Sequence, residues 1–594
     1  MIHRRLLSFA ISAATICGAL SPNMSAAINV PIQIDGDYSE WPPNSEIGTD
    51  PIGDDGSSGV DFTWLRMAND GDGVYFHFDT TIEVQGDEQQ DIFFAIDSDR
   101  NTGTGDSLHG IGAELVWGLG DRAGYIQDGT SSGTTHAALG LVFSPTVSDT
   151  EFEFSLSRSA TPEGFTLFPN VSFDIVFWDD NGDVMGPFTY TFEEGETPVP
   201  TISLDRADEN HFRLCSYNIQ SDGLFDTNNS RENALDRMLD AIDPDVFIFC
   251  EVWNHNGTEV AARLEEFLPS SGGESWTAIK VDAGNAVATR LPVLDFWDIL
   301  PGSRLTAVLI GSNATHGSDV LVIANHWSCC GADANRQMQA DALIDFLRDA
   351  RSPGGRIDLA PDTPIMAGGD YNLVGLRRQL ETLVTGNIQD NGTWGPDSPP
   401  DWDGSEFAVA AGRHADARFV YTWRNDGSSF YPGKLDYIVY TGSVANLEKS
   451  LTIETRTMKA SSLLDAGLLA NDTVTASDHA PIVADFSFGD TSGTGQTLPE
   501  FGTPRLLAAR PSPFRNSTEL GFELAQDELI SLRLFDSQGR VVRSLLDSEA
   551  RGPGIHRIGW DGRDDAGDSV PAGMYWYRVT AGGSTSTRSL ARIP

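Results

Sequence analysis

The sequence predicts a multidomain chain in which a central α/β domain lies between two β-sandwich domains. Three observations predict it. With 594 residues the chain is longer than one hydrophobic core can serve. The apolar pattern passes from period-two runs to alternating strands and helices, then back to period-two runs. The charge changes with it: residues 28–200 hold 32 acidic and 4 basic side chains, residues 201–499 hold 42 and 21, and residues 500–594 hold 12 of each.

The first segment, residues 1–27, reads as a secretory signal peptide. Arg4 and Arg5 precede a short apolar run from Leu6 to Leu20, and Ser25, Ala26 and Ala27 supply the small residues of a cleavage site. The residues ahead of Cys17 do not suit lipidation, and no later segment is apolar for long enough to cross a bilayer. The expected location is therefore secreted, extracellular or at the cell surface. In such an oxidising setting Cys215, Cys250, Cys329 and Cys330 are candidates for a structural disulfide rather than for a catalytic thiol. The net charge of −47 disfavours strong nonspecific binding to nucleic acid and suits cation binding.

Residues 28–200 carry short alternating runs such as "GVYFHFDTT" and "SFDIVFWDD" between Gly, Asp and Asn turns, the pattern of an antiparallel sandwich. In "DSDRNTGTGD", Asp97, Asp99, Asn101 and Asp106 are candidate ligands of a structural Ca²⁺; the loop lacks the sixth-position glycine and twelfth-position acid of an EF-hand, and its bland reading is an acidic turn. Trp41, Trp64, Trp117 and Trp178 have two readings, stacking on sugar rings or filling the core.

Residues 201–489 alternate strands with helices: "FRLCSYNI", then "SRENALDRMLDAI" with helical spacing, "DVFIFCE", "DVLVIANH", the helical "ANRQMQADALIDFLRDA", and "TPIMAGGDYN". Polar residues collect at the ends of these strands: Asn218, Glu251, His326, Asp370 and Asn372, with Asp436 in "GKLDYIVY" and Asp478 and His479 in "ASDHAPIVADF". A lone carboxylate after a strand is ordinarily a cap or turn residue. The set together suits phosphate-ester hydrolysis: hard oxygen ligands for Mg²⁺, amides that donate to phosphate oxygens without adding charge, and a histidine beside an aspartate for proton transfer.

"SYNIQ", "FCEVW", "GNAVATRLPV", "NHW", "GGDYN", "LDYIVY" and "SDHAPIVADF", in that order, resemble the endonuclease/exonuclease/phosphatase (DNase I-like) superfamily over roughly residues 205–488. The resemblance implies a four-layer α/β sandwich, two packed sheets flanked by helices. It implies Glu251 as principal metal ligand with Asp478 near the metal, the ion being Mg²⁺, Mn²⁺ or Ca²⁺. It implies Asp370 positioning or deprotonating water, Asn372 and Asn218 on the phosphate, His479 as acid/base oriented by Asp436, and His326 as a second histidine. The expected activity is a secreted metal-dependent nuclease acting on nucleic acid. The alternatives are a phospholipid phosphodiesterase or phosphomonoesterase, and a non-catalytic surface-binding protein. The lipid alternative calls for an exposed aromatic hairpin, and "NGTWGPDSPPDWDGSEF" reads as an ordinary loop. Arg304, Arg336 and Arg424 are candidate phosphate contacts or plain solvated cations.

"IQIDGDYSEWPP" resembles the opening of family-9-like carbohydrate-binding modules, which implies a carbohydrate or cell-surface ligand for the first domain. A Gly/Ser/Thr-rich linker is expected over 490–502. Residues 503–594, with "RPSPFRNSTELGFEL" and "GMYWYRVTAGG", resemble the immunoglobulin-like domain of the flagellar hook-capping family and gliding-type secretion tails. That implies secretion or surface-anchoring machinery as partner.

Overall fold

The computed structural model describes residues 32–41, 45–54, 59–87, 92–193, 198–271, 273–488 and, with short gaps, 505–592. The expected signal peptide (1–27) and linker (490–502) lie outside the described residues. Three pairs of sheets follow one another along the chain, and among the described residues no helix is long and apolar enough to cross a membrane.

The first pair is a five-stranded and a six-stranded antiparallel sheet, packed on a phenylalanine core. Strand Gly73–Val84 shows why alternation predicted it: Val74, Phe76 and Phe78 enter the core, while His77 faces the other way onto Glu151, 2.8 Å distant. Phe76 stacks on Phe154 with ring centroids 4.5 Å apart.

The central pair consists of two six-stranded sheets. In order across the first run Thr277–Ile279, Gly284–Thr289, Val246–Val252, Phe212–Asn218, Ile482–Phe488 and Ala445–Thr452; across the second run Val293–Asp298, Leu305–Ile310, Val320–His326, Ile365–Asp370, Asp436–Tyr440 and Ala408–Val409. Both faces of the inner strands are buried, which is why they read as unbroken apolar runs. In the strand Val246–Val252, Val246 and Ile248 pack between the sheets, whereas Phe247 and Phe249 pack outward with helix Asn229–Ile242. In the strand Val320–His326, Val320, Val322 and Ala324 point to the inter-sheet core, and Leu321 and Ile323 to the layer holding helix Asp333–Ala350. The four layers expected from the resemblance are thus present. Helix Gly257–Phe267, closed by an Asn256/Glu259 capping box, adds to the outer layer on the first sheet. The last pair, of three and four strands, encloses a core including Leu532, Trp560 and Tyr577.

The first and central units are packed together through buried groups. Ile34 bridges Phe419, and Ile32, Ile34 and Trp41 pack with Tyr421. Arg418 Nε lies 2.8 Å from Asp70 Oδ2 in a buried ion pair. Tyr431, from the central unit, enters the phenylalanine core of the first: its hydroxyl accepts from Trp117 Nε1 at 2.9 Å and donates to the Leu119 carbonyl at 2.8 Å. Much of the "IQIDGDYSEWPP" stretch therefore serves an inter-domain seam. It is braced by buried Glu153, which accepts from the amides of Asp35 and Gly36 and from the Trp41 indole. Trp41 and Trp117 are buried and bonded, so the core reading holds for those two; Trp64 and Trp178 are half-buried, against Arg66 and Phe93 respectively.

Candidate active site

Two parallel strand pairs, one in each sheet, end at the same edge of the central unit. Phe212–Asn218 runs beside Val246–Val252, and Val320–His326 beside Ile365–Asp370. Their carboxyl ends carry Asn218, Glu251, His326 and Asp370. In the second sheet Asp370 is paired across to His326 on one side and to Asp436 on the other. Three of the expected residues are thus juxtaposed by register alone.

Two local distortions aim the side chains. Glu251 sits in a β-bulge between Cys250 and Val252 with φ +64°, so it leaves the pleat of its strand. Gly369 has φ +140°, and a Cβ there would lie 1.8 Å from the Asn325 carbonyl oxygen, so only glycine fits before Asp370.

Asn218 is the hub. Its amide nitrogen lies 3.2 Å from Glu251 Oε1, 3.0 Å from Asp370 Oδ2 and 3.3 Å from His479 Nε2. The other Glu251 oxygen accepts from the Ser221 amide at 2.7 Å, which fixes the carboxylate plane. His479 Nδ1 is 2.7 Å from Asp436 Oδ2, and its Nε2 is 3.8 Å from Asp370 Oδ2. Ser477 ties the turn to the sheet, its hydroxyl donating to the Asn218 carbonyl at 2.8 Å and accepting from the His479 amide at 3.1 Å. His326 Nε2 is 3.9 Å from Asp370 Oδ2, so Asp370 is the carboxylate that faces both histidines.

The electrostatics separate the two rings. Burial lowers the His479 pKa, but Asp436 and Asp370 outweigh it and carry the imidazole up to about 10. Burial lifts Asp370 to about 7, with His479 opposing and Asp436 adding to the rise. His326 is pushed down to about 3 by burial, then by Arg304 and His479. At neutral pH His479 is thus a cation beside the Asp436 carboxylate, Asp370 is near its midpoint, and His326 is neutral.

The remaining expected residues divide. Asn372 caps Asp370, its amide donating to Oδ1 at 2.9 Å, and its side chain donates to the Trp327 carbonyl at 3.1 Å while lining the same cleft. Asp478 also lines the cleft, with Oδ2 taking the Trp423 indole N–H at 3.1 Å. Arg304 is at the cleft, its Nε on the His326 carbonyl at 2.8 Å. Arg336 is not a phosphate contact: fully buried, it donates to Gln379 and to the carbonyls of Ser328 and Cys330. Arg424 is paired with Asp426 at 2.6 Å. The loop after His326 is thus braced by a guanidinium, not by sulfur; Cys329 and Cys330 are exposed thiols with Sγ atoms 2.7 Å apart, and Cys215 and Cys250 are buried thiols.

Glu251 fits a Mg²⁺-type ion, which binds through one or two carboxylates and keeps several waters. It is a half-buried carboxylate on the cleft wall, bonded only at its rim. Among the described residues of the first unit two acidic groups form, Asp50, Asp54 and Asp183, and Asp97, Asp99 and Glu114; of the expected set Asp97, Asp99, Asn101 and Asp106, the second group gathers Asp97 and Asp99 with Glu114 in place of Asp106. The hairpin of Asp106–Leu108 and Ile111–Ala113 returns the chain so that Glu114 caps the Ser98 amide at 2.8 Å. Asp106 instead accepts from the Tyr125 hydroxyl at 2.8 Å, and Asn101 Oδ1 from the Gly103 amide at 3.1 Å.

Sequence reasoning did not mark the aromatic lining. Trp253, Trp327, Trp423 and Phe430 face the same cleft as the catalytic set. Phe430 and Tyr431 lie in "WRNDGSSFYPGKLD", whose rings carry no period that signals a cleft; the expected plain loop with Trp394 and Trp402 packs against the core of the second sheet.

Residues 215–479 match the Endonuclease/Exonuclease/phosphatase family, and residues 512–585 match the FlgD Ig-like domain. Among solved structures, the human Nocturnin catalytic domain with bound sulfate is similar at 14% identity and TM-score 0.29, over 49% of this chain and 96% of that one. ANGEL2, a 2',3'-cyclic phosphatase, is similar at 17% identity and TM-score 0.30, over 47% and 96%. A variant of beta toxin from Staphylococcus aureus with bound magnesium ions is similar at 19% identity and TM-score 0.26, over 47% and 99%. The basal-body rod modification protein FlgD of Salmonella typhimurium is 39% identical over 67 residues, which is 11% of this chain and 28% of that protein's length.

Proposed function

We propose that the chain is a secreted, metal-dependent phosphodiesterase; the match of residues 215–479 to the endonuclease/exonuclease/phosphatase family supports a phosphoesterase-type hydrolase domain. The observation that carries this reading is the Asn218 amide, within 3.0–3.3 Å of Glu251, Asp370 and His479, with His479 backed by Asp436 at 2.7 Å. Asp370, lifted to about 7, has a pKa near the operating pH, as suits a base that takes a proton from water. Its Oδ2 lies 3.8 Å from His479 Nε2, so base and imidazolium serve one side of the phosphorus. His479 donates to a phosphoryl oxygen there and compensates the charge that builds as water adds. Asn372 and Asn218 orient the ester. Glu251 would hold a divalent cation, which would supply Lewis-acid charge neutralisation when bound. A merely binding surface protein would have no use for two ionic carboxylate–imidazole contacts buried at one cleft.

Nucleic acid is the substrate first expected from the sequence, and a phospholipid phosphodiester or a phosphomonoester its rival. Purified full-length protein incubated with bis(4-nitrophenyl) phosphate, plasmid DNA and sphingomyelin, each with Mg²⁺, Mn²⁺, Ca²⁺ or chelator, distinguishes them. Turnover of at least one substrate, abolished by chelator, is expected. No turnover with any ion sinks the reading.

We further propose that Asp97, Asp99 and Glu114 hold a structural Ca²⁺. Glu114 is buried, with its Oε1 lacking any hydrogen-bond partner, and burial raises the pKa of both Asp97 and Glu114, a cost that a cation would relieve. Calcium at about a hundred times its Kd should add about 2.7 kcal/mol to the stability of this domain. The check is a calcium-dependent rise in melting temperature that Asp97→Ala removes; an equal rise in both proteins counts against the site.

A further inference from the structure

The cleft that holds the catalytic set is walled by two domains, not one. It has a volume of about 610 Å³, and besides residues of the central unit it is lined by Asp87, Phe143 and Thr146 of the first sandwich. That wall is fastened beside the catalytic loop. The Thr146 hydroxyl donates to the Leu373 carbonyl at 2.6 Å, and the Ser148 amide to the Gly375 carbonyl at 2.7 Å, so the sandwich holds the segment directly after Asn372. Val147 between them is buried in the core of the second central sheet. On the opposite rim, the segment 423–433 starts at Trp423, which bonds Asp478, and is pinned in the sandwich core by Tyr431. Between those anchors Phe430 stands 41% exposed at the cleft, with the Arg122 guanidinium of the sandwich 3.9 Å from its ring centroid.

The chemistry of the lining is uneven. Among the described residues six aromatic side chains line the cleft, three of them tryptophans, while Arg304 is the single Lys or Arg of the lining and its Nε is committed to a carbonyl. A duplex nucleic acid is gripped by several cations that release its counterions, and the described lining of this cleft offers one, with Arg122 set against the Phe430 ring. Its volume is that of a small-molecule site.

We propose that the first sandwich is the specificity wall of the catalytic cleft, and that the site takes a compact phosphodiester with an aromatic or apolar substituent in preference to duplex nucleic acid. This rests on the phosphodiesterase reading and narrows it. The Phe430 ring stacks on the substituent, and Arg122 holds that ring in place. A nucleoside base and a lipid chain share the required chemistry, so the substrate arms separate them.

The test uses the full chain with the ion that supports turnover. Substrates are bis(4-nitrophenyl) phosphate, a dinucleotide, a short-chain lipid phosphodiester and relaxed plasmid duplex. Wild-type kcat/KM for one of the small diesters should exceed that per phosphodiester of the duplex by about 100-fold, the loss expected when several phosphate contacts are missing. Phe430→Ala should raise KM for that diester about tenfold at constant kcat, the equivalent of one lost aromatic contact. Arg122→Ala should move KM in the same direction, and Phe430→Trp should restore it. Because Phe430 is half in solvent, its variants should melt with the wild type. Duplex cleaved as efficiently per bond as every small diester, or Phe430→Ala with an unaltered KM, overturns the proposal while leaving the phosphodiesterase reading intact. A wild type inert on all four substrates overturns that reading instead.

Discussion

His479→Ala should lower kcat about 10²–10⁴-fold, the range for loss of a positioned proton donor, while leaving the fold in place. His479 follows a helix on a short turn and packs no sheet core, so its loss leaves the two six-stranded sheets intact. What it removes is the cation between Asp436 and Asp370. Without it those two carboxylates, paired on adjacent strands, lose the cation that both contact, and Asp370 keeps the Asn218 amide as its side-chain donor. Asp436→Asn is the informative partner variant. The ring keeps a neighbour but loses the charge that raises its pKa, so kcat should fall less than in His479→Ala. Single-turnover rates with matching circular dichroism spectra check both. Two variants with wild-type rates would remove His479 from the chemistry.

Arg213→Ala should destabilise the central domain by about 3–5 kcal/mol, the cost of leaving a buried charge unpaired. Arg213 lies on the strand Phe212–Asn218 and Asp485 on the strand Ile482–Phe488, which pair antiparallel at that position. The guanidinium meets the carboxylate through two bonds of 2.6 and 2.9 Å, and both side chains are nearly excluded from water at 4% and 1% exposure. A third nitrogen donates to the carbonyls of Leu204 and Ile242, which joins the entry segment and the end of helix Asn229–Ile242 to the same cation. Asp485→Ala should cost a similar amount. The pair replaced by Met and Leu should recover most of it, since two apolar side chains leave no stranded charge. Urea titration followed by loss of turnover measures the central domain; an Arg213→Ala variant as resistant as wild type would show the pair to be marginal.

The central sheets were legible because their strands are buried on both faces, which yields apolar runs ended by a polar residue, and in a parallel pair those ends fall together. Asn218, Glu251, His326 and Asp370 were marked by that rule, and Asp436 and His479 by short segments of the family pattern. What could not be read was the side of the cleft made by distant chain. Phe143 and Thr146 meet Leu373 and Tyr431 across more than two hundred residues, and neither period nor composition encodes such a contact. The same holds for Glu114, which a hairpin returns to Ser98 sixteen residues away. The four cysteines expected as disulfide candidates are thiols, and the two in the loop after His326 do not hold it. Adjacent sulfurs attract attention, but the loop they occupy is held by Arg336, a residue whose helical setting looked solvated.

The place of Tyr431 in the first sandwich also makes that domain's core dependent on the central one. Its partner Trp117 lies 314 residues earlier. Without Tyr431 the Trp117 indole and the Leu119 carbonyl lack the hydroxyl that satisfies both. A sandwich parted from the central domain would therefore lack one residue of its own core. The segment that carries this residue also brings Trp423 and Phe430 to the cleft, so one stretch of chain completes a core and a wall of the site together.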